Sequence, residues 1–196
     1  AAIPAGNSAA REAALAELLQ TVRALEALQP PIAELMHLAQ LYRELDQPLA
    51  AAQLLDRLAR RGSADVEARV SDADAAWLAA GEIGQAAELH ASLAQTRSGD
   101  PAGLAHARQA IERSRSLGDA RGTAAMIERM RTLFPRDRAL LELAVQTAES
   151  YSVARAYELA VELVHSAPQS VTAHRQLARL AEATNHRLRA LDEYVW

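Results

Sequence analysis

The chain contains no cysteine. Disulfides, thiolate nucleophiles and zinc–sulfur sites are therefore excluded, and an export compartment is permitted but not required. Lysine is also absent, so all 21 basic residues are arginine. Biased coding in a GC-rich genome is the plain explanation; a functional preference for forked, bidentate guanidinium contacts is the other. Aromatic residues make up only 4% of the 196, and the net charge of −4 has the wrong sign for a dedicated nucleic-acid binder. No stretch approaches the ~20 consecutive apolar residues that a membrane-spanning helix needs. Ala1–Gly6 lacks both the basic start and the apolar core of a secretory signal. Glycine-rich phosphate loops are missing too. Gly81-Glu82-Ile83-Gly84 joins two helical patterns and reads as a turn, and no strand-to-helix elbow displays a nucleophile.

The six histidines, at 37, 90, 106, 165, 174 and 186, form no i, i+4 pair around a glutamate and no cluster at ligand spacing. Helix-surface positions are expected for most of them, whereas His90 falls on a packing position. Asp192 and Glu193 read as helix-surface charge. No catalytic residue, metal ligand or cofactor is expected.

What the chain does have is periodic apolar sequence. Half of its residues are apolar, with alanine dominant. Alanine has the best helix propensity, and its small side chain lets helix axes approach closely. One β-branched run, Val161 to Val164, fits a helix better than a strand. The residues predict an all-α chain of about eleven helices.

Residues 1–7 read as a linker ahead of a leading helix over 8–29, capped by Asn7 or Ser8. Its face carries Leu15, Leu18, Leu19, Val22 and Leu25, and Pro30 and Pro31 end it. Helix–turn–helix units follow at about 32–65, 66–101, 102–136, 137–169 and 170–196. Their turns are expected at Asp46–Pro48, Gly81–Gly84, Gly118-Asp119, Tyr151 and Asn185, with breaks at Arg61-Gly62-Ser63, Ser98–Pro101, Pro135 and Pro168. Tyr42 and Trp77 stand thirty-five residues apart, each followed nine residues later by alanine, Ala51 and Ala86. The chain stops at Tyr194-Val195-Trp196 inside an apolar helical pattern, so it reads as a piece of a longer protein.

Ala39, Tyr42, Ala51 and Leu55, then Trp77, Gly81 and Ala86, with Pro135 and Pro168 closing two units, resemble the tetratricopeptide (TPR) repeat over residues 32–196. The pattern departs from that family at Asp74, Ser114 and Thr147. The resemblance implies a right-handed superhelical α-solenoid whose first helices line a concave, partner-binding surface. Carried over, those positions are Met36, Gln40 and Arg43; Ser71 and Leu78; Arg108, Glu112 and Arg115; Arg138, Leu141, Val145 and Glu149; and Arg175, Arg179 and Glu182. Arginine outnumbers glutamate among them, which suits an acidic segment.

The alanine-, leucine- and arginine-rich, cysteine-free repeats are also similar to the periplasmic TPR regions of exopolysaccharide export outer-membrane proteins of the PelB type. That likeness implies a non-catalytic scaffold in the periplasm. It would dock a polymer-modifying enzyme such as the deacetylase PelA and guide polysaccharide in transit to the pore, with no nucleic acid bound and no membrane insertion by this segment. The competing expectation is a cytoplasmic regulatory or peptide-binding module.

Overall fold

The computed structural model describes residues 6–61 and 65–196, with side chains from residue 13 onward. Among the described residues the protein is all-α, with eleven helices and no strand. They are α1 (Gly6–Ala27), α2 (Ile32–Glu44), α3 (Pro48–Arg60), α4 (Val66–Ala79), α5 (Ile83–Thr96), α6 (Pro101–Ser116), α7 (Ala120–Leu133), α8 (Arg138–Glu149), α9 (Val153–Ser166), α10 (Val171–Ala183) and α11 (Arg187–Val195). Val161 to Val164 lies inside α9. Packing divides the chain into two compact units, Ala1–Leu89 and His90–Trp196, with the division inside α5.

Short turns join α2 to α3, α4 to α5, α6 to α7, α8 to α9 and α10 to α11, giving helix–turn–helix hairpins. Four of the five turns hold a residue in the left-handed region: Asp46 (φ 56°), Gly81 (φ 76°), Gly118 (φ 73°) and Asn185 (φ 65°). In three of them the next residue's N–H returns to the carbonyl five positions back. Gln47 reaches Tyr42 at 2.8 Å, Glu82 reaches Trp77 at 2.9 Å and His186 reaches Ala181 at 2.7 Å. This closure satisfies helix-end carbonyls and needs a residue that tolerates positive φ, which glycine, asparagine and aspartate supply. The turn at Tyr151 closes differently, with the Ser152 N–H on the Ala148 carbonyl at 2.7 Å and no positive φ.

Counting from these turns sets a common register. Four residues before each turn stand Tyr42, Trp77, Ser114, Thr147 and Ala181; five after it stand Ala51, Ala86, Thr123, Ala156 and Ala190. All ten are buried. Ser114 and Thr147 therefore occupy the bulky position of the repeat, and Asp74 occupies the small position that Ala39, Ala144 and Ala178 fill elsewhere. In the α6/α7 hairpin the bulky–small pair is replaced by two hydroxyls, Ser114 Oγ and Thr123 Oγ1, 3.5 Å apart. A buried hydroxyl is tolerated when another group answers it.

Side-chain caps begin several helices. Asp100 accepts from the Ala102 N–H, Asp119 from Arg121, Asp137 from Leu140, Ser152 from Arg155 and Ser170 from Ala173. The Ala102 N–H, with help from Arg97, holds the Asp100 carboxyl below its ordinary value. Asp137 does double duty: its Oδ1 caps α8 and its Oδ2 meets Arg108 Nη2 at 3.3 Å. Asp137→Ala is expected to cost about 1 kcal/mol in a denaturant melt, and Asp137→Ser, which keeps the cap and loses the ion pair, to recover most of it. Equal losses in the two variants would show that the ion pair matters more than the cap.

The leading helix departs from expectation. It starts at Gly6, so Asn7 and Ser8 stand in its first turn and do not precede it; their side chains, residues 1–5 of the expected linker and the Gly62-Ser63 break lie outside the described residues. Of its expected apolar face only Val22 is buried, while Leu15, Leu18 and Leu25 are exposed. The physical reason is that α1 packs along α2 over a short stretch and is otherwise held by polar contacts. Tyr42 Oη donates to Glu26 Oε2 at 2.9 Å, and Arg57 pairs with Glu26 Oε1. Burial, reinforced by the Glu26 carboxylate, pushes the Tyr42 hydroxyl up to about 12.

Candidate functional site

The residues expected on the first-helix face lie on α2, α4, α6, α8 and α10. Gln40, Arg43, Ser71, Arg108, Glu112, Arg115, Arg138, Arg175, Arg179 and Glu182 are exposed, and Met36, Leu78 and Glu149 are half-buried. Leu141 and Val145 are buried, so on α8 they act as packing residues and offer a partner little surface.

Exposure alone does not make these arginines available. Four of the six already reach the neighbouring hairpin of their own unit. Arg43 Nη2 donates to the Asp72 carbonyl at 3.4 Å, and Arg108 pairs with Asp137. Arg138 donates to Ser170 Oγ at 2.9 Å and to Glu142 at 2.8 Å, and Arg179 Nη2 holds both oxygens of Glu149 at 2.6 Å. Sequence separations of 29, 29, 32 and 30 are close to one repeat, so each bond braces one hairpin against the next. Burial draws the Glu149 carboxyl upward, but hydrogen bonds from Arg179 and Gln176 outweigh it and leave the group below its ordinary value.

Arg115 and Arg175 are different. Neither makes an ion pair among the described residues, and both are exposed. Arg115 also borders a groove of ≈ 240 Å³, lined further by Asp119, Thr123, Gln146 and Thr147. The net excess of positive charge expected over the whole face thus narrows to two guanidiniums in the His90–Trp196 unit.

His90 is buried, as its packing position implied, but two further histidines correct the sequence reading. Three are exposed (His37, His165 and His186) and three are buried (His90, His106 and His174). His90 Nδ1 lies 3.2 Å from His106 Nδ1, an N–H···N contact in which one ring donates and the other accepts. His174 donates through Nε2 to the Pro168 carbonyl at 3.0 Å and meets Glu193 through Nδ1. Glu193 is accordingly buried, where surface charge was expected. Its second oxygen takes Arg189 at 2.6 Å, and Trp196 stacks on the His174 ring at 3.7 Å. A carboxylate can be taken out of water when both oxygens are answered in this way. The nineteen-residue separation of His174 and Glu193 spans a helix and a turn, which no helical periodicity flags. Among the described residues no group of three or more histidine, aspartate or glutamate side chains could hold a metal, and no helix is long and apolar enough to cross a membrane.

A second feature escaped the sequence reading. A cavity of ≈ 370 Å³ lies where α1, α2 and α3 meet, bordered by Arg23, Arg57, Arg61 and Glu26 over Leu35, Leu54 and Leu58. Arg23 sits on the leading helix, Arg57 on α3 and Arg61 just past its end, whereas the resemblance directs attention to first helices. The only available signal was the 31-residue step from Glu26 to Arg57, close to one repeat.

No protein-family model matches the chain, and no curated protein matches it. Solved structures resemble it in architecture. A Podospora anserina kinesin light chain with nearly identical TPR-like repeats is 20% identical, with 83% of this chain and 91% of that one covered at a TM-score of 0.48. MamA from Desulfovibrio magneticus RS-1 is 14% identical, covering 83% and 90% at 0.47. YrrB, a TPR protein with an unusual peptide-binding site, is 12% identical, covering 87% and 87% at 0.45. At these identities and TM-scores none of them assigns this chain a partner.

Proposed function

We propose that the chain is a non-catalytic protein-interaction scaffold, with the hairpins as its repeat units, and that Arg115 and Arg175 receive an acidic segment of a protein partner. The observation that carries this reading is that these two exposed guanidiniums make no ion pair among the described residues, while their neighbours on the same helices are engaged. A guanidinium without an internal carboxylate gives up least on forming a charge-assisted bond to a partner. The groove beside Arg115 adds the exposed Gln146 as a polar group for a peptide backbone. Direct sugar stacking finds less support, because Tyr42 and Trp77 are buried.

The test is a fluorescence-anisotropy titration with a labelled alternating Glu-Ala peptide and its Gln-Ala counterpart. Arg115→Glu with Arg175→Glu is expected to leave the melt unchanged and to weaken the acidic peptide by about tenfold or more. Unaltered binding by the double variant would move the contact elsewhere.

The finer version of this reading places the scaffold in the periplasm within a Pel-type exopolysaccharide export protein, docking a deacetylase such as PelA and passing polymer towards the pore. Its support is the alanine-, leucine- and arginine-rich, cysteine-free style of the repeats. A pull-down in which PelA fails to associate would remove that version; the competing reading is a cytoplasmic regulatory module.

A further inference from the structure

The cavity at the meeting of α1, α2 and α3 has an unbalanced charge. Three arginines, Arg23, Arg57 and Arg61, face one carboxylate, Glu26. Both Glu26 oxygens are already engaged: one takes Arg57 and the other takes the Tyr42 hydroxyl. Arg23 and Arg61 make no ion pair among the described residues, and both are exposed at the cavity mouth. Asp56, the next acidic residue along α3, is committed to Arg60 at 2.6 Å and to the Trp77 indole at 3.3 Å. Among the described residues the cavity therefore keeps two guanidiniums without an ion pair, above a floor of Leu35, Leu54 and Leu58.

We infer that this cavity is a binding subsite for an acidic side chain of a protein partner, whose carboxylate is taken by Arg23 and Arg61 while its methylene stem lies over the leucine floor. The mixed lining favours such a group over a bare inorganic anion. Charge-assisted bonds to planar guanidiniums suit a carboxylate, and the aliphatic stem gains from leaving water. Glutamate fits better than aspartate, since its longer stem reaches the leucines with the head still at the rim. The subsite lies in the Ala1–Leu89 unit and does not depend on the reading of Arg115 and Arg175. Variants at those two positions leave it unchanged.

The experiment follows the arginine Nε–H and leucine methyl NMR signals of the full chain. It is titrated separately with N-acetylglutamate N-methylamide, with the uncharged glutamine analogue and with inorganic phosphate. The glutamate compound is expected to saturate the signals of Arg23, Arg61 and Leu54 in the millimolar range, with the glutamine analogue about tenfold weaker. Arg23→Gln with Arg61→Gln should lower the glutamate affinity by a similar factor while the melt stays put. If that pair shifts the melt, Arg61→Gln alone carries the test. Equal binding of the two analogues, no saturable shift at these residues, or undiminished binding by the variants would overturn the inference. Phosphate that equals or exceeds the glutamate compound would overturn it too, because the leucine floor would then contribute nothing.

Discussion

Trp77→Ala is expected to lose about 3–5 kcal/mol of unfolding free energy. The indole stands at the bulky register position of the α4/α5 hairpin with 6% of its surface exposed. Its Nε1–H donates to Asp56 Oδ1 at 3.3 Å, on the preceding helix. Truncation removes a large buried side chain and leaves a void that surrounding helices fill only partly. Asp56 keeps its bond to Arg60, so the loss comes from packing more than from an orphaned carboxylate. Trp77→Phe should restore most of the stability, leaving a deficit of about 1 kcal/mol for the missing hydrogen bond and the smaller ring. Guanidinium titrations followed by circular dichroism make the measurement. If the two compact units melt separately, the loss belongs to the transition of Ala1–Leu89. A variant melting with the parent would place the ring outside the packed register.

Much of the fold was legible because it is written locally. Proline at the first position of α3 and α6, aspartate or serine before α6, α7, α8, α9 and α10, and glycine in two of the turns are signals that act within a few residues. The Tyr42–Ala51 and Trp77–Ala86 spacing marked one repeat, and the positive-φ residues Gly118 and Asn185 extend that register to two hairpins where the marker side chains change. Ser114 and Thr147 looked like departures because a hydroxyl scores poorly at a bulky apolar position. Inside the hairpin the Thr123 hydroxyl answers Ser114, and that partnership is set by tertiary register, nine residues away across a turn.

The exposure of most of the expected first-helix residues was legible, but their engagement was not. Reading along first helices finds exposed arginines, yet it cannot tell a guanidinium that braces the neighbouring hairpin from one that is unengaged. That distinction depends on residues about one repeat away, such as Asp137 for Arg108 and Glu149 for Arg179. The same blindness hid the buried His174–Glu193 pair and the arginine-lined cavity beside α1. A carboxylate counts as surface charge until the other helix of its hairpin is laid over it, as α10 is over Glu193. Exposed ion pairs of this bracing kind contribute little each, so their use is in fixing the hairpins' register more than in raising stability.

Gly103→Ala is expected to destabilise by about 2 kcal/mol, against the direction that helix propensity dictates. Gly103 lies in the first turn of α6, is buried, and has no unusual backbone angle. Propensity alone would make alanine better there by about 1 kcal/mol. A methyl group at this position would overlap the Arg97 carbonyl oxygen and stand 2.7 Å from its carbon. That obstacle is backbone, and it is pinned. The Arg97 carbonyl accepts the Asp100 N–H at 3.0 Å, and Asp100 in turn caps α6 through the Ala102 N–H. Making room for the methyl therefore pulls on the α5–α6 turn and on the cap together. Gly84→Ala supplies the opposite case in the first turn of α5. An added methyl there meets nothing within 4 Å, so the substitution should stabilise by about 0.4–1 kcal/mol through the entropy of the unfolded chain. Parallel denaturant melts of the two variants should move in opposite directions. Stabilisation by both would mean that the α5–α6 turn stands farther from α6 than this packing requires.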